Sequence, residues 1–462
     1  MQAEPRIEWT EVPRELGEGL RDSLRFGYLE VPADHGEPGG ARIRLAVGIL
    51  PARTATPARD PVVFITGGPG VPGVELWAPR FTKSHDWWDR LRERRDLVIL
   101  DPRGHGYSDP RLPRGPSFSD GRLCEELGPA GPPPRSTAAA DSLAVSNAAE
   151  CRRLLLAKGV RPELLSSVQV AHDLELLRRA LGASQLNLIG LSYGSRIAAE
   201  AVRQVPTAIR AVWYAAPLPP AGMGQGSREA HEEVVGTLIR RCAAHAECHN
   251  AYPRLASEYD SVMARLRRSP ATVTGPAGPV TIDDVLLLRM FSELLRNRDR
   301  AVRVPLHIHT LADQGERALM PIGLEVMRAV DTLSSAAGTH LAFRCNDGMV
   351  NRRSAQQQQQ RCQAWLGTAW DGSQAEPLRS DIPGLITVGE FDRLVTHAAR
   401  LLAAGLPRAH LLILPWEGHM WTAACAPHIA TAFFEAPERV PDTTCVNSIP
   451  PLKFVTAQNP GR

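Results

Sequence analysis

Several short runs in this chain are apolar at every position rather than at every second one. Each ends in a turn of glycine, proline, serine or aspartate. Pro61-Val62-Val63-Phe64-Ile65-Thr66 stops at Gly67-Gly68-Pro69-Gly70, and Asp96 to Leu100 runs into Asp101-Pro102-Arg103-Gly104. Gln185 to Leu191 enters a turn at Ser192, Ile209 to Ala216 is a further run, and Gly384 to Val388 and His410 to Leu414 follow much later. A strand without polar alternation is covered on both faces, which is the condition of a parallel sheet between helices. Helical spacing supports this: Ala171 to Leu181 stops at Gly182, and Ser195 to Val205 stops at Pro206. The expected class is therefore α/β, a mostly parallel sheet flanked by helices.

Between about residues 218 and 380 the texture changes. Strand signals nearly vanish, and amphipathic segments such as Glu229 to His245, Ala251 to Arg268 and Thr281 to Arg296 take their place. A length of 462 residues admits about three average domains, or one large domain carrying an insertion. The pattern favours the insertion: residues 1–217 as the first part of the core, 218–380 as a helical lid, and 381–462 as its second part. Gly115 to Ala140, rich in proline, glycine and alanine, reads as a surface connection. The run Gln356 to Gln360 reads as an exposed helix face.

Charge narrows the partners. The 53 basic and 50 acidic residues leave a net charge of only +3, too small a field to point to nucleic acid or an anionic membrane. No stretch approaches the roughly 18 apolar residues that span a bilayer. Eight cysteines, at 124, 151, 242, 248, 345, 362, 425 and 445, fall as four successive near neighbours. None has the spacing of a zinc site, so no metal is expected. Four local disulfides imply an oxidising compartment, although Met1 to Leu20 has acids, prolines and no apolar core and does not read as a signal peptide. The favoured expectation is a secreted or periplasmic protein, with free thiols in the cytoplasm as the alternative.

The chemistry centres on Gly190-Leu191-Ser192-Tyr193-Gly194, a G-x-S-x-G sequence between an expected strand and an expected helix. The glycines permit a sharp turn that lifts the serine hydroxyl above the sheet, at the positive end of a helix. Such a hydroxyl needs a base, and the base a carboxylate to orient it. In this arrangement the acid and then the histidine follow the serine along the chain. Asp392 lies just past the strand ending at Val388, and His419 follows the last strand after a short loop, so these are the expected acid and base. Glu390 competes as the acid and His397 as the base. Six other histidines, including His105 and His340, lack a strand-end setting and read as surface or packing residues. An oxyanion needs N–H donors: the main chain of Tyr193 supplies one, and Gly68 the other, because Pro69 has none. A phosphate loop is disfavoured, since no P-loop lysine follows and the glycine spacing does not fit a dinucleotide site.

Together these motifs resemble the α/β-hydrolase-fold serine aminopeptidases, the proline iminopeptidase and secreted tripeptidyl aminopeptidase group. Thr66-Gly67-Gly68-Pro69-Gly70 looks like the family's His-Gly-Gly-Pro-Gly loop, Asp101 to Ser108 like its Asp-x-Arg-Gly-x-Gly-x-Ser motif, and Gly190 to Gly194 like its nucleophile elbow. Cys242 with Cys248, Cys345-Asn346-Asp347, and Cys425 with Cys445 look like the cysteine segments of the secreted branch. The chain departs from the family in three places. Thr66 stands where a histidine is usual, Leu394-Val395-Thr396 follows Asp392 in place of Thr-Pro, and no cysteine pair precedes residue 124. The resemblance implies an α/β-hydrolase fold and neighbour pairing of the cysteines, one of 105 connectivities that eight allow. It also implies cleavage of peptide bonds near a free amino terminus through Ser192, His419 and Asp392, with no cofactor. Lid carboxylates would then hold the substrate's ammonium, Asp347 first and Glu390 second, and tryptophans at 77, 87, 88, 365, 370, 416 and 421 would offer pocket walls. An esterase or amidase acting on small non-peptide substrates, and a silent binding protein on the same fold, are the rival readings. Oligomeric state stays open.

Overall fold

The computed structural model describes residues 4–83, 88–115, 123–124, 137–218, 228–275, 278–330, 335–349, 356–367, 377–392, 396–419 and 425–456. Nine strands form one sheet: β1 (Ile7–Thr10), β2 (Arg25–Pro32), β3 (Arg42–Leu50), β4 (Val62–Ile65), β5 (Leu97–Leu100), β6 (Leu186–Leu191), β7 (Ile209–Ala215), β8 (Gly384–Gly389) and β9 (Ala409–Leu414). Their order is β1-β2-β3-β5-β4-β6-β7-β8-β9. The six strands from β5 to β9 in that order run parallel, and β1, β2 and β3 add an antiparallel arm at one edge.

Alternate residues of the central strands enter different cores, as the pleat requires. Val63, Ile65, Leu188 and Val388 join one apolar cluster, whereas Val62, Phe64, Ile189 and Leu385 join another. Helices α1 (Thr137–Ala157), α2 (Ser167–Ala180) and α3 (Gly194–Gln204) cover the first face through Cys151, Leu174, Leu177 and Ile197. Helices Gly73–Lys83 and Cys425–Glu435 cover the second through Val74, Phe81, Ile429 and Phe433.

The residues between β7 and β8 pack in two parts. Helices from Arg228–Ala244 to Leu319–Val330 gather around a third cluster, with Val235, Leu287, Phe291 and Ile308 at its centre and Phe391 and Phe454 joining from the strand-end loop and the C-terminal segment. Helices α4 (Ala337–Asn346) and α5 (Gln356–Leu366) instead enter the first core through Phe343 and Trp365. The cysteines pair as sequence neighbours: Cys124–Cys151, Cys242–Cys248, Cys345–Cys362 and Cys425–Cys445. The connection from Gly115 to Ala140 falls largely outside the described residues. Among the described residues, no helix is long and apolar enough to cross a membrane.

A buried ion pair ties the antiparallel arm to this body. Arg103 and Asp173 are both fully buried, and the guanidinium donates two bonds of 2.8 and 2.7 Å to the carboxylate and others to the carbonyls of Pro32 and Ala33. His35 adds a 2.7 Å contact to Asp173. Burial alone would raise the Asp173 pKa, but Arg103 and His35 outweigh it and hold the carboxyl below its ordinary value. Removing one partner of such a pair leaves a buried charge uncompensated, which costs about 3–5 kcal/mol. Arg103→Ala is accordingly expected to lower unfolding free energy in urea by that amount. A loss under about 1 kcal/mol, the size of a surface pair, would contradict this reading of the junction.

Candidate active site

Ser192 follows β6 in a turn whose close backbone approaches require glycine at 190 and 194. Its φ is 53°, the left-handed region that a non-glycine residue enters at a cost. A Cβ on Gly190 would lie 2.6 Å from the Gly194 carbonyl oxygen and the Ser195 Cα. One on Gly194 would lie 2.2 Å from the Ile65 carbonyl oxygen. The two glycines therefore let β6, β4 and α3 close on one another, and that closure presents the serine at the carboxyl edge of the sheet. The Ser192 N–H donates to Ala215 O at 2.8 Å, and Ser195 Oγ–H donates to Ser192 O at 2.5 Å, so the turn is held from both sides.

Loops after β8 and β9 bring the other two groups to the same edge. His419 Nε2 lies 3.0 Å from Ser192 Oγ, and His419 Nδ1 lies 2.6 Å from Asp392 Oδ2. Asp392 is fully buried and His419 nearly so. The inserted helices brace these loops. A Cβ on Gly418 would meet the Leu295 carbonyl oxygen at 2.3 Å, and Arg298 reaches both Trp416 O and Glu417 Oε1. The side chain of His397, the competing base, lies outside the described residues.

Gly67 to Gly70 close the remaining side. A Cβ on Gly67 would stand 3.0 Å from that of Ser192, and Gly68 has a φ of 115°. Among the described residues, neither the Gly68 nor the Tyr193 main-chain N–H has a hydrogen-bond partner. The loop is braced by a residue that the sequence left among packing histidines. His105 is fully buried; its Nε2 accepts the Gly70 N–H at 2.8 Å and its Nδ1 faces Arg103 O at 3.1 Å. Burial pushes His105 down to about 4, so the imidazole is neutral and both contacts fit one tautomer. The Asp101 motif supports the same region: its carboxylate accepts the N–H groups of Gly73, Val74 and Tyr107 at 2.6–3.0 Å.

The two carboxylates expected to hold a substrate ammonium are placed otherwise. Asp347 is fully buried beneath the elbow. It accepts the Ser167 N–H at 3.0 Å, the Ser167 hydroxyl at 2.5 Å and the Tyr193 hydroxyl, while Arg196 donates to its main-chain carbonyl. It thus anchors the side chain of Tyr193 rather than lining an opening. Glu390 is paired with Arg241 at 2.8 Å and also accepts the Trp416 N–H at 3.1 Å, so its charge is already met. Sequence reasoning misses both arrangements because the partners lie 154 and 149 residues away. Of the tryptophans, Trp365 is buried in the first core, Trp77 packs on Phe64 and Phe81, and Trp416 lies under Arg241. Trp87, Trp370, Trp421 and the side chain of Trp88 lie outside the described residues. Among the described residues there is no group of three or more histidine, cysteine or carboxylate side chains fit to hold a metal.

Comparison with known proteins agrees with this geometry at the level of fold. Residues 60–238 match the family model described as alpha/beta hydrolase fold. The chain is 25% identical to the protein YuaR of Escherichia coli (strain K12), over 79% of this chain and 71% of that one. It is 32% identical to the tripeptidyl aminopeptidase of Streptomyces lividans over 42% of this chain and 35% of the relative. With the serine protease Hip1 of Mycobacterium tuberculosis it shares 30% identity over 40% of this chain and 34% of the relative. The matched stretch thus spans about a third of the length of either peptidase. The protein has the α/β-hydrolase fold. It is a distant homologue of the tripeptidyl aminopeptidases.

Asp347 makes stability pH-dependent in a direction opposite to that of Asp173. Burial, only partly offset by the two bonds from Ser167, pushes its carboxyl up to about 7. Folding therefore favours the neutral form, and the associated stability, complete below the ordinary value near 4, is lost as pH rises through about 7. In Asp347→Asn, which cannot ionise, that loss should vanish. Relative to this variant, wild type should lose on the order of 4 kcal/mol between those limits by calorimetry. A pH-independent difference would contradict the assignment.

Proposed function

We propose that this protein is a serine hydrolase that works through an acyl-enzyme on Ser192. The observation that carries the reading is the unbroken contact from Ser192 Oγ to His419 Nε2 and from His419 Nδ1 to Asp392, at 3.0 and 2.6 Å. His419 takes the serine proton as Oγ attacks the substrate carbonyl and returns it to the leaving group. Asp392 keeps Nδ1 protonated, so that Nε2 is the basic nitrogen, and stabilises the imidazolium that forms. The N–H groups of Gly68 and Tyr193 receive the oxyanion. Water, deprotonated by His419, then releases the acyl group. Each step uses groups of the chain itself, and no cofactor is invoked.

The reading extends to substrate and setting. Relatedness to a tripeptidyl aminopeptidase and a serine protease favours a peptide bond as the target, with the inserted helices of residues 218–380 as a lid over the triad. Four disulfides favour an oxidising compartment outside the cytoplasm. One observation favours the esterase or amidase reading instead. Asp347 and Glu390, the expected ammonium ligands, are both engaged by other groups of the chain, so selection for a free amino terminus lacks its expected basis.

A fluorophosphonate probe should label wild type and leave Ser192→Ala unlabelled, and that variant should lose on the order of 10³-fold or more in kcat. Equal labelling of both proteins would overturn the nucleophile assignment. A chromogenic peptide amide with a free amino terminus, compared with its acetylated form, divides the substrate readings. Faster hydrolysis of the free amine supports the aminopeptidase; equal rates, or hydrolysis of simple esters alone, support the alternative.

A further inference from the structure

Among the described residues, two arginines near the oxyanion loop lack a carboxylate partner. Arg344 on α4 and Arg361 on α5 each immediately precede a cysteine of the Cys345–Cys362 disulfide, whose Cα atoms lie 5.3 Å apart. The bond therefore holds two guanidinium-bearing residues side by side. Both are half-buried. Burial lowers the pKa of each, and Arg344 lowers that of Arg361 further. Among the described residues neither has a carboxylate partner, and the buried Arg361 Nε has no hydrogen-bond partner at all. Several other half-buried arginines do have a carboxylate partner, among them Arg241 with Glu390, Arg298 with Glu417 and Arg228 with Asp284.

Their location is specific. The start of α4 is seated on the oxyanion loop, where the Ala336 N–H donates to Gly70 O at 3.0 Å and His340 Nδ1 lies 3.3 Å from Pro69 O. Arg344 follows His340 by one helical turn and so occupies the same side of α4. His340 senses both arginines: burial first, then the Arg344 charge, and more weakly Arg361, push it down to about 3. The neutral imidazole therefore adds no third charge. Asp347, only three residues beyond Arg344, is committed to Ser167 and Tyr193.

We propose that Arg344 and Arg361 form an anion subsite beside the oxyanion loop that receives a carboxylate of the substrate. This rests on the serine-hydrolase reading and names the substrate class: acyl compounds, peptide or ester, that carry a negative group. Two guanidinium groups match the paired oxygens of a carboxylate, and bonds between charged partners are the strong ones.

Esters that share a leaving group and differ in one charge test this. Wild type is expected to hydrolyse mono-p-nitrophenyl glutarate with a kcat/KM about tenfold or more above that for p-nitrophenyl pentanoate. Arg344→Gln and Arg361→Gln should each lower that ratio by about tenfold, while Arg344→Lys should retain part of it. A second pair, para-acetoxybenzoate and its methyl ester, places the charge on the leaving group, and a preference in either pair supports the subsite. Calorimetry adds a readout without turnover: Ser192→Ala should bind glutarate, and Ser192→Ala with Arg344→Gln should not. Binding by Ser192→Ala with no esterase activity in wild type would uphold the subsite and sink the hydrolase reading. Activity without charge preference, and without glutarate binding, would overturn the subsite alone. Glutarate that binds but does not compete with ester hydrolysis would overturn its assignment to the substrate.

Discussion

The site depends on how closely three backbone segments approach one another at the carboxyl edge of the sheet. Gly194 sits against the Ile65 and Thr66 carbonyl oxygens, and Gly190 against the Gly194 carbonyl oxygen and the Ser195 backbone, at distances that admit no side chain. That contact forces Ser192 to a φ of 53°, and a strained residue persists only where its surroundings over-determine it. Here they do: β4 and β7 flank β6, α3 packs behind it, and Ala215 O fixes the Ser192 N–H. With the serine immobile, distances set by the loops after β8 and β9 become meaningful, because His419 approaches a fixed point rather than a mobile one.

Around that point the chain uses buried polar groups as spacers. Asp101 gathers three N–H groups, His105 holds Gly70, and Asp347 holds Ser167 and Tyr193. A buried polar group left unsatisfied costs about 1–3 kcal/mol, so each spacer is paired on the sides it presents. The result is a main-chain loop and a turn at Ser192 braced from behind, while the N–H groups of Gly68 and Tyr193 have no partner among the described residues and are free for the proposed oxyanion. Pre-orientation of this kind is what makes hydrogen-bond donors effective towards a developing oxyanion.

The parallel strands and the contacts among Ser192, His419 and Asp392 were legible because each rests on a local signal. Continuous apolar runs mark strands covered on both faces, and catalytic groups collect just past the carboxyl ends of such strands. The antiparallel arm was not singled out. Arg25–Pro32 and Arg42–Leu50 mix charged residues and glycine with apolar ones, so neither reads as a continuous apolar run over its whole length, although their apolar residues enter both cores. The packing of α4 and α5 into the main core, apart from the other inserted helices, was equally hidden, since helical periodicity says which face is apolar but not what it meets. The same limit explains Asp347 and Glu390. An acidic residue near a site has a sign and a rough position in sequence, but whether its charge is free depends on partners about 150 residues away.

That limit matters most for selectivity, because it reverses the sign of the charge the site offers. Expected anionic ligands prove to be committed to the protein, whereas Arg344 and Arg361 have no carboxylate partner among the described residues. Like charges held together in a half-buried setting repel by an amount on the order of a few kcal/mol, and a chain free to rearrange would separate them. The Cys345–Cys362 bond closes a loop with a sequence separation of 17, and a crosslink of that span contributes about 3 kcal/mol, comparable to the repulsion it must oppose. The disulfide is therefore of the right size to keep Arg344 beside Arg361 through folding, and the repulsion it sustains is relieved only when an anion arrives. A pair held this way favours a charged ligand over a neutral isostere by removing a penalty as well as by adding a contact. On these terms the bond that staples α4 to α5 also sets which substrates the neighbouring triad encounters.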